Sequence, residues 1–284
     1  MQDFEHQSFT GERALFAERD LHISYSVFGD GESPLKESRS ITLDHTLFRW
    51  KYPLWYSRNV TVTNSALLET ARSGIWYTDD ITVLNSTIEA PKTFRRSKNI
   101  TLDHVDMPVA TETLWDCDFV RMSHVTAKGD YFGMNSRNVM ASDFRLSGNY
   151  AFDGARNVEI HNATMLSKDA FWNCEDVTVY DSYIVGEYLG WNSKNLTFVD
   201  CTIESLQGLC YIENLTLKNC RLMKTTLAFE HSTVDADVTT EIDSVLNPSG
   251  GTIRAKGIRE LIVDGTKVDP RNTTIVLTGQ TNTA

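Results

Sequence analysis

Apolar and polar residues alternate over short stretches, and one such stretch returns along the chain. RNVTVTNS at 58–65, DDITVLNS at 79–86, KNITLDHV at 98–105, RNVEIHNA at 156–163, EDVTVYDS at 175–182, KNLTFVDC at 194–201 and ENLTLKNC at 213–220 are copies of one phrase. With the first apolar residue of each copy as position zero, the zeros are Ile41, Val60, Ile81, Ile100, Val120, Val139, Val158, Val177, Leu196 and Leu215. The step of 19–21 residues has the length of a solenoid repeat. Looser copies place zeros at Leu21, near Val238 and at Leu261. About thirteen turns then cover most of the chain and leave no room for a second domain of ordinary size.

Apolar residues at zero and +2, with Thr commonly between them, have period two and predict a strand with one buried face. Further apolar columns lie at +7 (Phe48, Leu67, Ile88, Met107) and six residues before each zero (Leu35, Leu54, Ile75, Phe94, Leu114). Helical periodicity is absent. Three short strands per coil, stacked in parallel, predict an all-β fold: a single right-handed parallel β-helix, the hand being that of parallel crossovers. The expected domain is 1–284, with coils over about 11–270 and an irregular C-terminal cap over about 235–284 that covers unpaired edges. A polar column at +4 (His45, Asn64, Asn85, His104, His124, Asp143, Asn162, Asp181, Asp200, Asn219) reads as a corner ladder that satisfies turn backbone, rather than a metal or acid–base site.

Composition narrows the function. Against 27 basic residues stand 38 acidic ones, a net charge of −11, which argues against nucleic acid and anionic membranes as partners. No run of 18 apolar residues occurs, so no membrane span is expected. The first residues show no basic segment followed by an apolar one, so no signal peptide is expected. Cys117, Cys174, Cys201, Cys210 and Cys220 form no CxxC pair and are odd in number, which leads us to expect a reduced, cytoplasmic protein. N-x-T matches at Asn59, Asn99, Asn195 and Asn214 are the repeat phrase itself. No phosphate-cradling glycine loop, serine-hydrolase elbow or metal-ligand spacing is present, so we expect no cofactor and no metal.

Function is then expected on an outward column. Five residues before the zeros come Lys36, Trp55, Trp76, Arg95, Trp115, Asp153, Trp172 and Trp191, and beside them Glu37, Tyr56, Tyr77, Arg96 and Asp116. If the column at −6 points inward, this one points out. An aromatic stripe edged by charges and amides suits an oligosaccharide or anionic sugar. The candidate ligand residues are Lys36, Glu37, Trp55, Tyr56, Trp76, Tyr77, Arg95, Arg96 and Trp115. Glycoside hydrolysis commonly needs two carboxylates about 5–10 Å apart. Asp116 and Asp153, two turns and so roughly 10 Å apart, are the one pair near that range. The bland alternative is a ladder that packs against itself, or one covered by a second subunit. The expected function is a carbohydrate-binding or carbohydrate-active protein, hydrolase or lyase. The alternative is a non-catalytic scaffold or homo-oligomer with the stripe as interface.

GERALF, GESPLKES and KYPLWY, followed by degenerate N-[IV]-T coils, resemble a bacterial family known as a domain of unknown function with a pectin-lyase-like right-handed β-helix. The resemblance spans nearly the whole chain. It implies the coil fold and leans toward carbohydrate, since polysaccharide lyases, hydrolases and isomerases share that wider class. It supplies no catalytic residues to carry over.

Overall fold

The computed structural model describes residues 2–279. It is an all-β parallel solenoid of about fifteen turns. Among the described residues there is no α-helix, and the 3-10 turns are Glu69–Ala71 and Pro270–Asn272. Residues 2–147 form one compact unit and residues 148–279 another.

In the first unit the predicted zeros stack in register: Leu21 with Ile41, then Val60, Ile81, Ile100, Val120 and Val139. All are buried. The residue at +1 faces out and the one at +2 faces in, because a strand's side chains alternate. The +7 column closes the core: Phe28 and Phe48 stack with ring centroids 4.7 Å apart and planes 4° off parallel. The −6 column, Leu35 through Leu114, is buried as well. In the second unit Val158, Val177, Leu196, Leu215 and Val234 repeat the arrangement.

The structure changes three details of the expected coil. The count rises from about thirteen turns to about fifteen. A turn at Gln2–Glu5 pairs with Leu21–Ser24. Towards the C-terminus the turns begin at Val234, Gly251 and Thr273 rather than near Val238 and at Leu261. Gln2, Gly251 and Thr273 put non-apolar residues where the repeat calls for Ile, Val or Leu, which hides these turns from the pattern. Second, the stretch expected as an irregular cap holds the long strands Thr233–Leu246 and Gly250–Ile262 and the strand Thr273–Leu277. Its residues 280–284 lie outside the described residues. Third, two sides of most coils are strands, but the third is a run of turns, joined across coils by bridges such as Trp76 to Arg95 and Arg95 to Trp115.

The reason lies in the corners. The +4 residues, His45, Asn64, Asn85, His104, His124 and Asp143, have φ between 48° and 52°. Residues just before the zeros are left-handed too, with Asn59, Asn99, Asn195 and Asn214 at 54°, 54°, 55° and 64°. Asn, Asp and His tolerate this left-handed conformation better than other side-chain-bearing residues. The repeat phrase therefore encodes corners as well as core. A third left-handed corner lies four residues before each zero, at Glu37, Tyr56, Tyr77, Arg96, Asp116 and Asn135. It breaks the third side into turns.

Candidate ligand-binding site

All nine predicted ligand residues lie in the first unit, on five successive turns. Backbone bonds between turns fix their order: Glu37 N donates to the Trp55 carbonyl, Tyr56 N to Trp76, Tyr77 N to Arg95 and Arg96 N to Trp115. The inner column runs Trp55, Trp76, Arg95, Trp115. The indoles of Trp55 and Trp76 stack at 5.2 Å, 8° from parallel. The Arg95 guanidinium sits 4.7 Å from the Trp76 ring and 4.7 Å from the Trp115 ring. The outer column runs Tyr56, Tyr77, Arg96. The two phenols stack at 4.7 Å and 6°, Lys36 Nζ lies 5.5 Å above the Tyr56 ring, and Arg96 Nη1 donates to Tyr77 Oη at 3.5 Å.

The predicted outward register holds. Trp55, Trp76, Arg95 and Trp115 are half-buried and Tyr56 is 46% exposed. What the stack offers differs from an open platform. Both faces of Trp76 are occupied, by Trp55 and Arg95. The indole N–H groups of Trp55 and Trp76 donate to the carbonyls of Ser73 and Lys92 at 2.6 and 2.7 Å. Any ligand therefore meets ring edges, phenol hydroxyls and charged groups rather than bare ring faces. The cations have partners: Arg95 with Glu112 at 2.9 Å, Arg96 with Asp116 at 3.6 Å, Lys36 with Glu37 at 3.9 Å and Lys51 with Glu32 at 3.2 Å. Arg95 Nε is shielded from solvent and has no hydrogen-bond partner.

Asp116 belongs to the first unit and is paired with Arg96. Asp153 belongs to the second and accepts from Asn173 Nδ2 at 2.8 Å. In that unit the rings of Trp172 and Trp191 lie 6.2 Å apart, and Trp191 packs against Tyr211 at 4.3 Å with the planes tilted by 36°. The outward pattern ends where Leu209–Cys210 and Ala228–Phe229 are buried as consecutive pairs.

The +4 histidines form a ladder. Asp103 Oδ1 lies 3.0 Å from His104 Nδ1 and 3.4 Å from His124 Nδ1, and the two rings stack at 4.3 Å and 16°. These three residues carry their ligand atoms close together. An imidazole binds a metal in its own plane at about 2.0–2.1 Å, and two nearly parallel planes this far apart do not meet at such a point. Burial works against the Asp103 charge, but hydrogen bonds from His104 and His124 outweigh it and hold the carboxyl below the usual range. Cys201 and Cys220 are buried, with thiols directed at the Val179 and Phe198 carbonyls. Burial pushes Cys201 up to about 12, so neither is poised as a nucleophile.

The repeat did not point to two features of the second unit. One is Asp169, only 9% exposed. Burial pushes its carboxyl above the usual range, helped by the nearby charges of Glu187 and Asp153, although Tyr150 donates to it. The other is a groove of about 450 Å³ around Gly186. The column that holds Ser167, Gly186 and Ser205 is also small at Gly129 and Gly148 in preceding turns, so the sequence carried no distinct signal for the groove.

A family profile described as a protein of unknown function, DUF3737, matches residues 2–276. The chain belongs to the DUF3737 family. No curated protein sequence matches this DUF3737 chain. Among solved structures, the A-module of mannuronan C-5 epimerase AlgE4 from Azotobacter vinelandii is similar at 12% identity and a TM-score of 0.35, covering 96% of this chain and 87% of that one. PfbA, a surface adhesin of Streptococcus pneumoniae, is similar at 12% identity and a TM-score of 0.37, covering 85% and 69%. The catalytic domain of a GH87 α-1,3-glucanase, solved with tetrasaccharides, is similar at 10% identity and a TM-score of 0.28, covering 97% and 63%. Scores this low carry no argument about what this DUF3737 protein does.

Proposed function

We propose that the protein binds carbohydrate, without itself cleaving it, along the outer edge of the first-unit column. One observation carries this reading. The corner four residues before each zero must be left-handed, and the chain meets that need with Asn at 135, 173 and 192, where φ is 53–57°. At 56, 77 and 96 it places Tyr, Tyr and Arg in the same conformation, with φ of 57°, 57° and 51°. Left-handed backbone costs a non-glycine L-residue roughly 1–2 kcal/mol, and Asn and Asp offset it by local hydrogen bonds. Left-handed bulky residues also occur at buried Phe94, Leu114 and Phe171 and at this corner in Tyr211, but at 56, 77 and 96 three of them fall on successive turns with side chains that reach solvent, a run the local rule disfavours. These are also the residues that present phenol hydroxyls and a guanidinium to solvent, groups suited to sugar hydroxyls.

The test is titration of acidic and neutral oligosaccharides, followed by tryptophan fluorescence and calorimetry. Saturable binding is expected. The double variant Tyr56→Asn, Tyr77→Asn should weaken it at least about tenfold, one lost hydrogen bond to an ionic or well-placed partner being worth about 1.5 kcal/mol. Folding stability should stay within about 1 kcal/mol of wild type, because the lost ring stacking (about 0.5–1.5 kcal/mol) is offset by a relaxed corner. No response to any sugar, or binding untouched by the double variant, overturns the reading.

A further inference from the structure

Towards the end of the second unit the parallel ladder is interrupted. Cys220 pairs with Val238 and Val238 with Ala255, whereas Glu241 pairs with Gly257. Two residues, Thr239 and Thr240, therefore stand opposite the single residue Lys256. On the other side they face Arg221. Leu222 N donates to Thr240 Oγ1 at 3.0 Å, and that hydroxyl donates to the Leu222 carbonyl at 2.8 Å. Thr239 Oγ1 donates to the Cys220 carbonyl at 3.2 Å. Both threonine side chains are thus turned down onto the neighbouring strand. Bulges of this kind re-aim side chains and are over-represented beside active sites. Arg221 and Lys256 are exposed, and Cys220, Leu222 and Ala255 beside them are buried, as strand alternation requires. Their backbones lie two strand spacings, about 10 Å, apart. With Thr239, Thr240, Glu241 and Gly279 they line a groove of about 560 Å³.

The acids nearby are already engaged. Arg259 holds Glu241 at 2.6 Å and Asp243 at 3.1 Å, Arg254 holds Asp235 at 3.5 Å, and Lys224 holds Glu204 at 3.4 Å. Asp237 stands opposite Arg254 in the ladder. Among the described residues Arg221 and Lys256 have no ion-pair partner. A chain of net charge −11 thus turns two unpaired cations towards one groove, whose carboxylate, Glu241, is offset by Arg259. We propose that this groove binds a phosphate group, free or as a small phosphate monoester, held between Arg221 and Lys256. Arg221 brings a planar fork that matches two phosphate oxygens, and Lys256 brings a point charge for a third. The threonine hydroxyl hydrogens are spent on carbonyls, so the two cations do the recognising. Such a site needs no glycine loop. The volume falls within the range of about 300–1,000 Å³ common to small-ligand sites, which leaves room for the group that carries the phosphate. The inference does not depend on the first-unit column, because it rests on other residues and on charge.

The experiment is phosphorus NMR and calorimetry on the full chain in a phosphate-free buffer, with inorganic phosphate and glucose 6-phosphate as probes and glucose as the uncharged control. At least one phosphate probe should bind saturably, with a Kd of about 1 mM or below for so small a ligand, and glucose should bind at least about tenfold more weakly than its phosphate. Equal affinity for the two phosphates assigns the site to the free oxyanion, and a tighter monoester assigns it to the ester; either result supports the proposal. Arg221→Gln should weaken binding at least about tenfold, the worth of a charge-assisted hydrogen bond, and Lys256→Gln at least about fivefold. Both side chains are exposed, so the urea midpoint of the free protein should hold. Glu241→Gln should tighten binding, because it removes the groove's carboxylate and releases Arg259. Lys218→Gln, an exposed cation on the strand of Arg221 but outside the groove, should leave affinity within about twofold. Phosphate should also raise the melting temperature of wild type and not that of Arg221→Gln. The proposal is overturned if neither phosphate saturates, if glucose binds as tightly as its phosphate, if Arg221→Gln and Lys256→Gln leave affinity unchanged, or if Lys218→Gln weakens it as much as they do, which would mean diffuse attraction to surface charge.

Discussion

Asp169 and Asp103 titrate in opposite directions because their surroundings differ. Asp169 is held mostly out of water beside other acids, so the folded state favours its neutral form. Between its unfolded value near 3.8 and its higher folded value, the native state holds the extra proton, so stability falls as pH rises through that window. At neutral pH the residue is a net cost. Asp169→Asn should therefore unfold at higher urea than wild type at pH 7, with the difference shrinking once pH drops below about 3.8, where both states of Asp169 are protonated. A difference independent of pH would show that packing, not charge, sets the effect. Asp103 is the reverse case: its folded value is lowered by His104 and His124. Its contribution is present above about 3.8 and lost as pH falls through the lower folded value. Asp103→Asn should lower stability at pH 5 and flatten the acid limb of the urea-midpoint profile. An unchanged acid limb would mean that the ladder does not stabilise the charged carboxylate.

At the scale of the coil side, stacking one kind of residue turn upon turn makes each core column continuous. Phe48 lies at 0% exposure with Phe28 against one face. Phe48→Ala should cost about 3–5 kcal/mol in chemical denaturation, since a phenyl-sized gap between fixed turns closes poorly. A loss under about 1 kcal/mol would mean that neighbouring coils collapse into the gap. The columns also explain what was legible in the sequence. Period-two alternation with a step near nineteen residues exposes the first strand, its buried face and its register, because a one-residue slip would turn Ile100 and Leu102 outward. The outward tryptophan column follows from the same reasoning. The turn-built third side was harder to see. Its corners are left-handed at Tyr56, Tyr77 and Arg96, residues whose types do not announce that conformation. The groove around Gly186 was hidden for a related reason: a glycine in a repeat reads as a weak copy, and its meaning depends on the Ser167 carbonyl one turn away.

Across the whole chain the five cysteines share one condition. Cys117, Cys174, Cys201, Cys210 and Cys220 are all free and all buried. Burial pushes Cys117, Cys201 and Cys210 up to about 12 and raises Cys174 and Cys220 as well. A thiol reacts as its thiolate, so at neutral pH these groups combine a negligible reactive fraction with no access for a reagent. Their small, apolar character is what the coil uses: Cys220 occupies the column where Ser182 and Cys201 stand in neighbouring turns, each directing its side chain at a backbone carbonyl. The fold thus draws no stability from disulfides, and its melting temperature should be the same with and without a reductant. Thiol-specific labelling gives the sharper test. In native buffer none of the five should react over a time in which a model thiol reacts completely, whereas all five should react in denaturant. At intermediate urea, each site should label at a rate set by the opening of its own surroundings. Rapid native labelling of any one cysteine would show that its coil opens far more readily than a continuous core column permits.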